Sequence, residues 1–189
     1  TANAKAYGEG SDLLDATHEV SYDCLTERFS SLVPLTNIAT EIHRCIISEN
    51  EIADDASSHL KSIRRSITLA NEKIRQQLAK LVADDSQKDK LQDSLVTMRN
   101  GRYCIPVKSE YRSQFPGMIH DRSGSGSTLF IEPMSVVNLN NEIKELADEE
   151  LIEIEKILTD LSLLAAQSVE DILYDMETLV ALDFIFARA

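Results

Sequence analysis

The sequence predicts a mainly α-helical protein in which long antiparallel helices carry a small antiparallel β insertion. Three observations predict it. Apolar residues recur at helical spacing from Leu60 to Leu81 and again from Ala147 to Leu179, and no proline or glycine interrupts residues 134–189. Between these runs, Asn100 to Pro133 alone combines strand-like alternation with turn residues. A chain of 189 residues with 43% hydrophobic content can bury a core as one domain or two.

The opening TANAKAYGEG is small and polar and reads as a frayed end. From Ser11, a candidate cap with Asp12 and Asp15 in the first turn, Leu14, Leu25, Phe29 and Leu32 lie at roughly helical spacing until Pro34 breaks the element. Pro34 suits the first turn of a second short helix, whose face is Leu35, Ile38, Ile42 and Cys45 or Ile46, ending near Ser48. The polar SENEIADDASS is a connection, and Ser57 or Ser58 caps a long helix with the stripe Leu60, Ile63, Ile67, Ala70, Ile74, Leu78 and Leu81. DDSQKDK is its polar exit.

Val96 to Arg99, Asn100-Gly101 and Arg102 to Ile105 form a hairpin signal, since Asn-Gly takes the two positive φ angles of a type I′ turn. Pro106 places the second strand at a sheet edge or ends it. Gly117 to Asp121 and Thr128 to Glu132 are further strands, joined by the flexible loop RSGSGS. After Pro133 one helix is expected to run almost to the end, with the stripe Ala147, Leu151, Ile154, Leu158, Leu161, Ala165, Val169, Ile172, Met176 and Leu179 stuttering once at Val169. At 1.5 Å per residue, about 45 residues of helix reach about 70 Å, the length of an arm or strut. The apolar helical run LDFIFARA ends without a cap and reads as a piece of a longer protein. The expected divisions are 1–56, a helical core segment; 57–94, the first long helix and its exit; 95–133, the small β tip; and 134–189, the second long helix.

Charge sharpens the contrast between tip and arm. The formal net charge is −13, yet residues 99–123 hold Arg99, Arg102, Lys108, Arg112 and Arg122 against Glu110 and Asp121, a balance of +3, and read as the clearly basic part of the chain. Residues 141–183 hold thirteen acids against Lys144 and Lys156, a balance of −11 that repels a phosphate backbone. Arg102, Lys108, Arg112 and Arg122 are the candidate phosphate contacts, with Tyr103, Tyr111 and Phe115 available for packing or stacking. The alternative is an ordinary mixed surface whose arginines pair with acids on the neighbouring helices.

Other chemistry is not indicated. No GxxxxGK[ST] loop occurs, and SGSGS lacks the lysine and the strand-to-helix setting of a phosphate cradle. His120-Asp121 has no second His or carboxylate cluster at ligand spacing, so it reads as a strand histidine. The runs of carboxylates read as a solvated helix face, and no nucleophile, base and orienting group assemble. Cys24, Cys45 and Cys104 are too scattered for a disulfide framework or metal knuckle and are expected as buried thiols. With no apolar run of membrane-spanning length and no basic-then-apolar leader, a cytoplasmic location and no membrane partner are expected.

NGRYCIPVKSEYRSQFPGMIHDRSGSGSTLFIEP, followed by Val137-Asn138-Leu139-Asn140-Asn141-Glu142 and closed by LDFIFARA, closely resembles the bacterial MutS type-two family, the MutS homologues associated with recombination rather than conventional mismatch repair. ENEIADDASSHLKSIRRSI resembles that family's helix entry, so the likeness covers roughly Pro34 to Ala189. The resemblance implies an internal core, lever and clamp-like segment, with Ser57 to about Ala83 and Val136 to Arg188 as lever-like helices and Leu95 to Pro133 as a reduced clamp-like tip. It implies a parent carrying an ATPase that dimerises, with ATP and Mg as cofactors, and a C-terminal small MutS-related nuclease domain; the segment itself would hold no cofactor and no catalytic residue. Implied partners of the parent are branched or structured DNA, in suppression of homologous recombination and in repair, or ribosomal RNA on stalled ribosomes, together with a second copy of itself. The rival expectation is a helical scaffold or dimerisation spacer with no nucleic-acid contact of its own.

Overall fold

The computed structural model describes residues 24–188, so the expected cap Ser11 and its first-turn acids lie outside the described residues. The chain is mainly α with two small antiparallel sheets. It divides into two compact units: the described residues up to Ala56 together with those from Glu155 onward, and Ser57–Ile154.

In the first unit, α1 (Cys24–Ser30) and α2 (Thr36–Cys45) are separated by the turn containing Pro34. Leu35 is the N-cap of α2, which puts Pro34 just ahead of the helix rather than in its first turn. The segment read as helix end and connection folds instead into a minimal hairpin, β1 (Ile46–Ser48) on β2 (Glu51–Ile52). Such strands are too short to show alternation in sequence. Arg44 fastens this turn by donating to the carbonyls of Asp55 and Ala56. Leu32, Ile38, Cys45 and Ala53 are buried here.

The expected single helix after Pro133 is two: α5 (Val137–Ala166) and α6 (Val169–Phe186). The break falls at Gln167-Ser168, where the Ser168 N–H reaches back three residues to Ala165 O and Ser168 becomes the N-cap of α6. This is where the heptad pattern stutters. A shift of register in the apolar stripe is absorbed here by ending one helix and starting another. In the first unit, α6 satisfies the Val33 N–H through Asp175 Oδ1 at 2.9 Å and sets Phe186 against Phe29, ring centres 6.3 Å apart.

The second unit is built on α3 (Ser58–Ala83). Ser57 caps it, accepting the Leu60 N–H at 2.9 Å, and its buried positions are Leu60, Ile63, Ala70, Ile74, Leu78 and Val82. Ser57 meets Glu153 and Arg64 meets Glu150, a falling order along α5 that fits an antiparallel pair, with His59 meeting Glu149. These contacts also turn α5 away from its expected stripe. Asn140, Glu153, Ile157 and Leu161 are its buried positions while Leu151 and Leu158 are exposed, and partners on α3 engage Glu150 and Glu153.

After α4 (Asp85–Lys88) comes a four-stranded sheet of order β3-β4-β6-β5: β3 (Thr97–Arg99), β4 (Arg102–Lys108), β5 (Gly117–Arg122) and β6 (Thr128–Pro133), with a 3-10 helix over Ser109–Gln114. The Asn-Gly hairpin forms as expected, with φ of +52° at Asn100 and +74° at Gly101 and Arg99 opposite Arg102. Pro106, expected at an edge or strand end, sits inside β4 opposite Phe130, and the strand continues to Lys108. Its carbonyl accepts from Gln92 N–H, so the side that lacks an N–H faces the flank where β3 has already ended. One face of the sheet, with Tyr103, Ile105, Val107, Leu129 and Ile131, packs with Ile74, Leu78 and Val82 of α3 as the unit's core. At Gly117 a Cβ would lie 2.1 Å from Glu132 O, so the approach of β5 to β6 requires glycine.

Candidate nucleic-acid interface

The sheet sorts the tip cations into two places. Lys108 pairs with Thr128 and Arg122 with Leu129, so both sit at the end of the sheet that carries the Ser123–Ser127 loop. Arg102 begins β4 six residues earlier, about 20 Å along the strand. Arg112 lies on the 3-10 helix, but its guanidinium donates to Phe115 O at 3.0 Å and Gly117 O at 3.1 Å, beside the start of β5. The quartet is therefore not one patch. Lys108 and Arg122 share the loop end of the sheet, where the register turns them to opposite faces, and Arg102 and Arg112 lie toward the root.

At the root, Arg102 is occupied. Nε reaches Glu132 Oε2 at 2.8 Å, and Nη2 reaches Glu132 Oε1 and Asn141 Oδ1 at 2.7 Å each. Glu132 is fully buried and receives two more donors, Asn140 Nδ2 at 2.7 Å and His120 Nε2 at 2.5 Å. Burial opposes ionisation of Glu132, but donation by Arg102, Asn140 and His120 outweighs it and holds the carboxyl below its ordinary value. The bond to Glu132 correspondingly raises Arg102. Asn140 also bonds the Tyr103 backbone, so the network joins β4, β5, β6 and α5. Burial, with the Glu132 charge nearby, pushes the Cys104 thiol up to about 11, leaving it an inert core group.

This network was not singled out from sequence. Its signal was an acid set between Ile131 and Pro133 in an apolar strand, where an unpartnered charge is costly enough that partners must exist.

At the loop end the chemistry differs. The Arg122 side chain is exposed and has no partner among the described residues, while its own amide and Arg99 engage Asp121. Lys108 Nζ touches Asp89 O at 2.7 Å, and Lys90, whose carbonyl receives the Lys108 amide, adds a third cation. The loop between them is hydrogen-bonded: Gly126 N–H donates to Ser123 O, Ser123 Oγ accepts the Thr128 amide, and Ser109 N–H fixes Ser127 O. Gly126 takes φ of +73°, which closes the turn. The hydroxyls of Ser123, Ser125 and Ser127 form a chain of short contacts at the tip. Cations beside neutral hydroxyl donors make a surface suited to phosphate oxygens.

Neighbouring features offer less. An open groove of about 310 Å³ at the root is lined by Asp84, Gln87, Phe115 and Met134 among others, and no base lines it. Among the described residues no group of His, Cys, Asp and Glu is placed to hold a metal ion, and no helix is long and apolar enough to cross a membrane.

No family model matches the chain. Curated relatives do. It is 54% identical over all 189 residues to the endonuclease MutS2 of Lachnoclostridium phytofermentans, covering 24% of that protein. It is 52% identical over 172 residues, 91% of the chain and 22% of the relative, to endonuclease MutS2 of Lachnospira eligens. Against the same protein of Clostridium beijerinckii it is 49% identical over 170 residues, 90% of the chain and 21% of the relative. The chain thus spans about a quarter of the length of the curated relatives it matches.

Proposed function

The chain belongs to the MutS type-two family, and from that membership we propose that it is a non-catalytic lever and clamp-like segment whose β tip touches the phosphate backbone of a nucleic acid. One observation carries this: Lys108 and Arg122 flank a serine-rich turn at the free end of a sheet, and Arg122 has no partner to neutralise it among the described residues. α3 and α5 are the rigid elements that position the tip, through the sheet core on α3 and the Glu132 network on α5. In the parent the ATPase, with its ATP and Mg, and the nuclease would lie in the segments beyond this match. Tip contact would then serve structured DNA in recombination control and repair, or ribosomal RNA in rescue of stalled ribosomes. Phosphate contacts favour neither DNA nor RNA, since both expose the same oxygens.

The test is salt-titrated binding of duplex and branched probes by the chain and by K108E/R122E. Loss of these two contacts should lower the affinity and reduce the slope of log K against log salt by about 2. Equal affinity and slope in the two proteins would overturn the reading. A specific observation favours a second reading, a scaffold. Leu151, Ile152, Leu163, Leu173 and Val180 are more than half exposed, and apolar surface of this kind is commonly covered by protein.

A further inference from the structure

The solvent face of α3 carries a second concentration of positive charge. Residues 58–83 contain Lys61, Arg64, Arg65, Lys73, Arg75 and Lys80 against a single acid, Glu72, a balance of +5 that exceeds the tip's +3. The expectation that the tip is the basic part of the chain is thereby corrected. The six bases were diluted among stripe residues over seven turns, so no short window stood out.

Their placement is specific. Arg64 turns toward α5 and pairs with Glu150. Lys61, Arg65, Lys73, Arg75 and Lys80 are all exposed, and none has a side-chain partner among the described residues. At 100° per residue, Lys61, Arg65, Lys73 and Lys80 fall within one face, opposite the buried Leu60, Ile63, Ala70, Ile74 and Leu78, with Arg75 on its flank. Ser62 and Gln76 fill gaps in the row with neutral donors, and the exposed Glu72 and Leu69 lie on the same face. If these cations served only to neutralise the acids of α5, they would face that helix; they face away from the packed side.

We infer that this face of α3 is a second, sequence-independent contact track for a nucleic-acid phosphate backbone, separate from the β tip. From Lys61 to Lys80 the row is about 28 Å long, the rise of about eight base pairs. An acidic protein surface is the other polyanion that could meet it. A stable protein interface, however, needs desolvated apolar or aromatic anchors, and Leu69 is the only large apolar side chain exposed on α3. A row of lysine, arginine, serine and glutamine, with one acid and one aliphatic side chain among them, is closer to what backbone contact requires.

The inference shares its partner chemistry with the proposed function but rests on different residues, so the two can fail separately. The 189-residue chain, K61Q/R65Q/K73Q/K80Q, K108E/R122E and the charge-preserving K61R/R65K/K73R/K80R would each be titrated by anisotropy at several salt concentrations. The probes are a duplex DNA and a duplex RNA of one sequence, about 20 base pairs long so that either exceeds the row. The quadruple Gln variant should weaken binding to either probe and reduce the salt slope by about 3 to 4, while the charge-preserving variant keeps the parent slope. This result supports the track even if K108E/R122E binds like the parent, in which case only the tip reading fails. A parent-like slope in the Gln variant, with helicity by circular dichroism unchanged, overturns the track. So does a loss of slope in the charge-preserving variant, or salt-sensitive self-association abolished by the Gln changes while duplex binding persists. A difference between the DNA and RNA arms identifies which backbone geometry the row fits.

Discussion

At Glu132 a fully buried carboxylate meets three donors contributed by β4, β5 and α5, and the sheet root is held by that agreement. Removing one member of such a group strands the others. Glu132→Ala leaves the Arg102 guanidinium without its bidentate partner, an effect of about 3–5 kcal/mol in urea unfolding, whereas R102M/E132L should recover much of the loss because no charge remains buried. The carboxyl's lowered value fixes the sign with pH. A group depressed in the folded state adds stability above its unfolded value, about 4.3 for glutamate, and loses it as pH falls through the folded value. Unfolding midpoints followed from pH 7 to pH 3 should therefore fall more steeply for the parent than for R102M/E132L. Both experiments separate Arg102, which organises the fold, from Arg122, which faces solvent. Sequence lists the two as equal cations, since it shows charge but not whether a partner lies across a strand.

Among the elements, α3 was the most legible. Its stripe is regular, its cap is Ser57 and its length is near that expected, because a long amphipathic helix declares itself through local spacing alone. Ser57 does two jobs, accepting the Leu60 amide and donating to Glu153 Oε1 at 2.7 Å. Ser57→Ala is expected to cost about 1 kcal/mol for the cap, with a further loss from leaving Glu153 short of a donor. Thermal unfolding compared with Ser58→Ala, which lacks this geometry, measures it. Asn-Gly was equally legible, and Gly101→Ala, forced to φ near +74°, should cost about 1–2 kcal/mol. What was not legible depended on distant partners. The inward face of α5 is set by Arg64 and Ser57, far away in sequence. The break at Gln167-Ser168 uses neither proline nor glycine. The β1–β2 hairpin has strands of three and two residues, shorter than any pattern can reveal.

For the molecule as a whole, charge segregation outweighs total charge. A chain of −13 would be dismissed as a polyanion ligand on composition, yet its acids gather on residues 141–183 and its bases on α3 and the tip. The exposed apolar positions of α5 and α6 give the scaffold reading its own test: sedimentation should show association rising with concentration, weakened in L163Q/L173Q, and a strictly monomeric parent would remove its support. The sheet edges carry a different implication. One outer strand, β3, offers only three residues, and Asn100 at the end of it reaches over to the His120 carbonyl of the other. That other strand, β5, slips register between Ile119 and Asp121, so its pairing groups do not form an even row. Neither border is a template on which a foreign strand could extend the sheet, and the tip is thus guarded against polymerising edge to edge. A partner at the tip would have to meet side chains and loop groups rather than a strand edge.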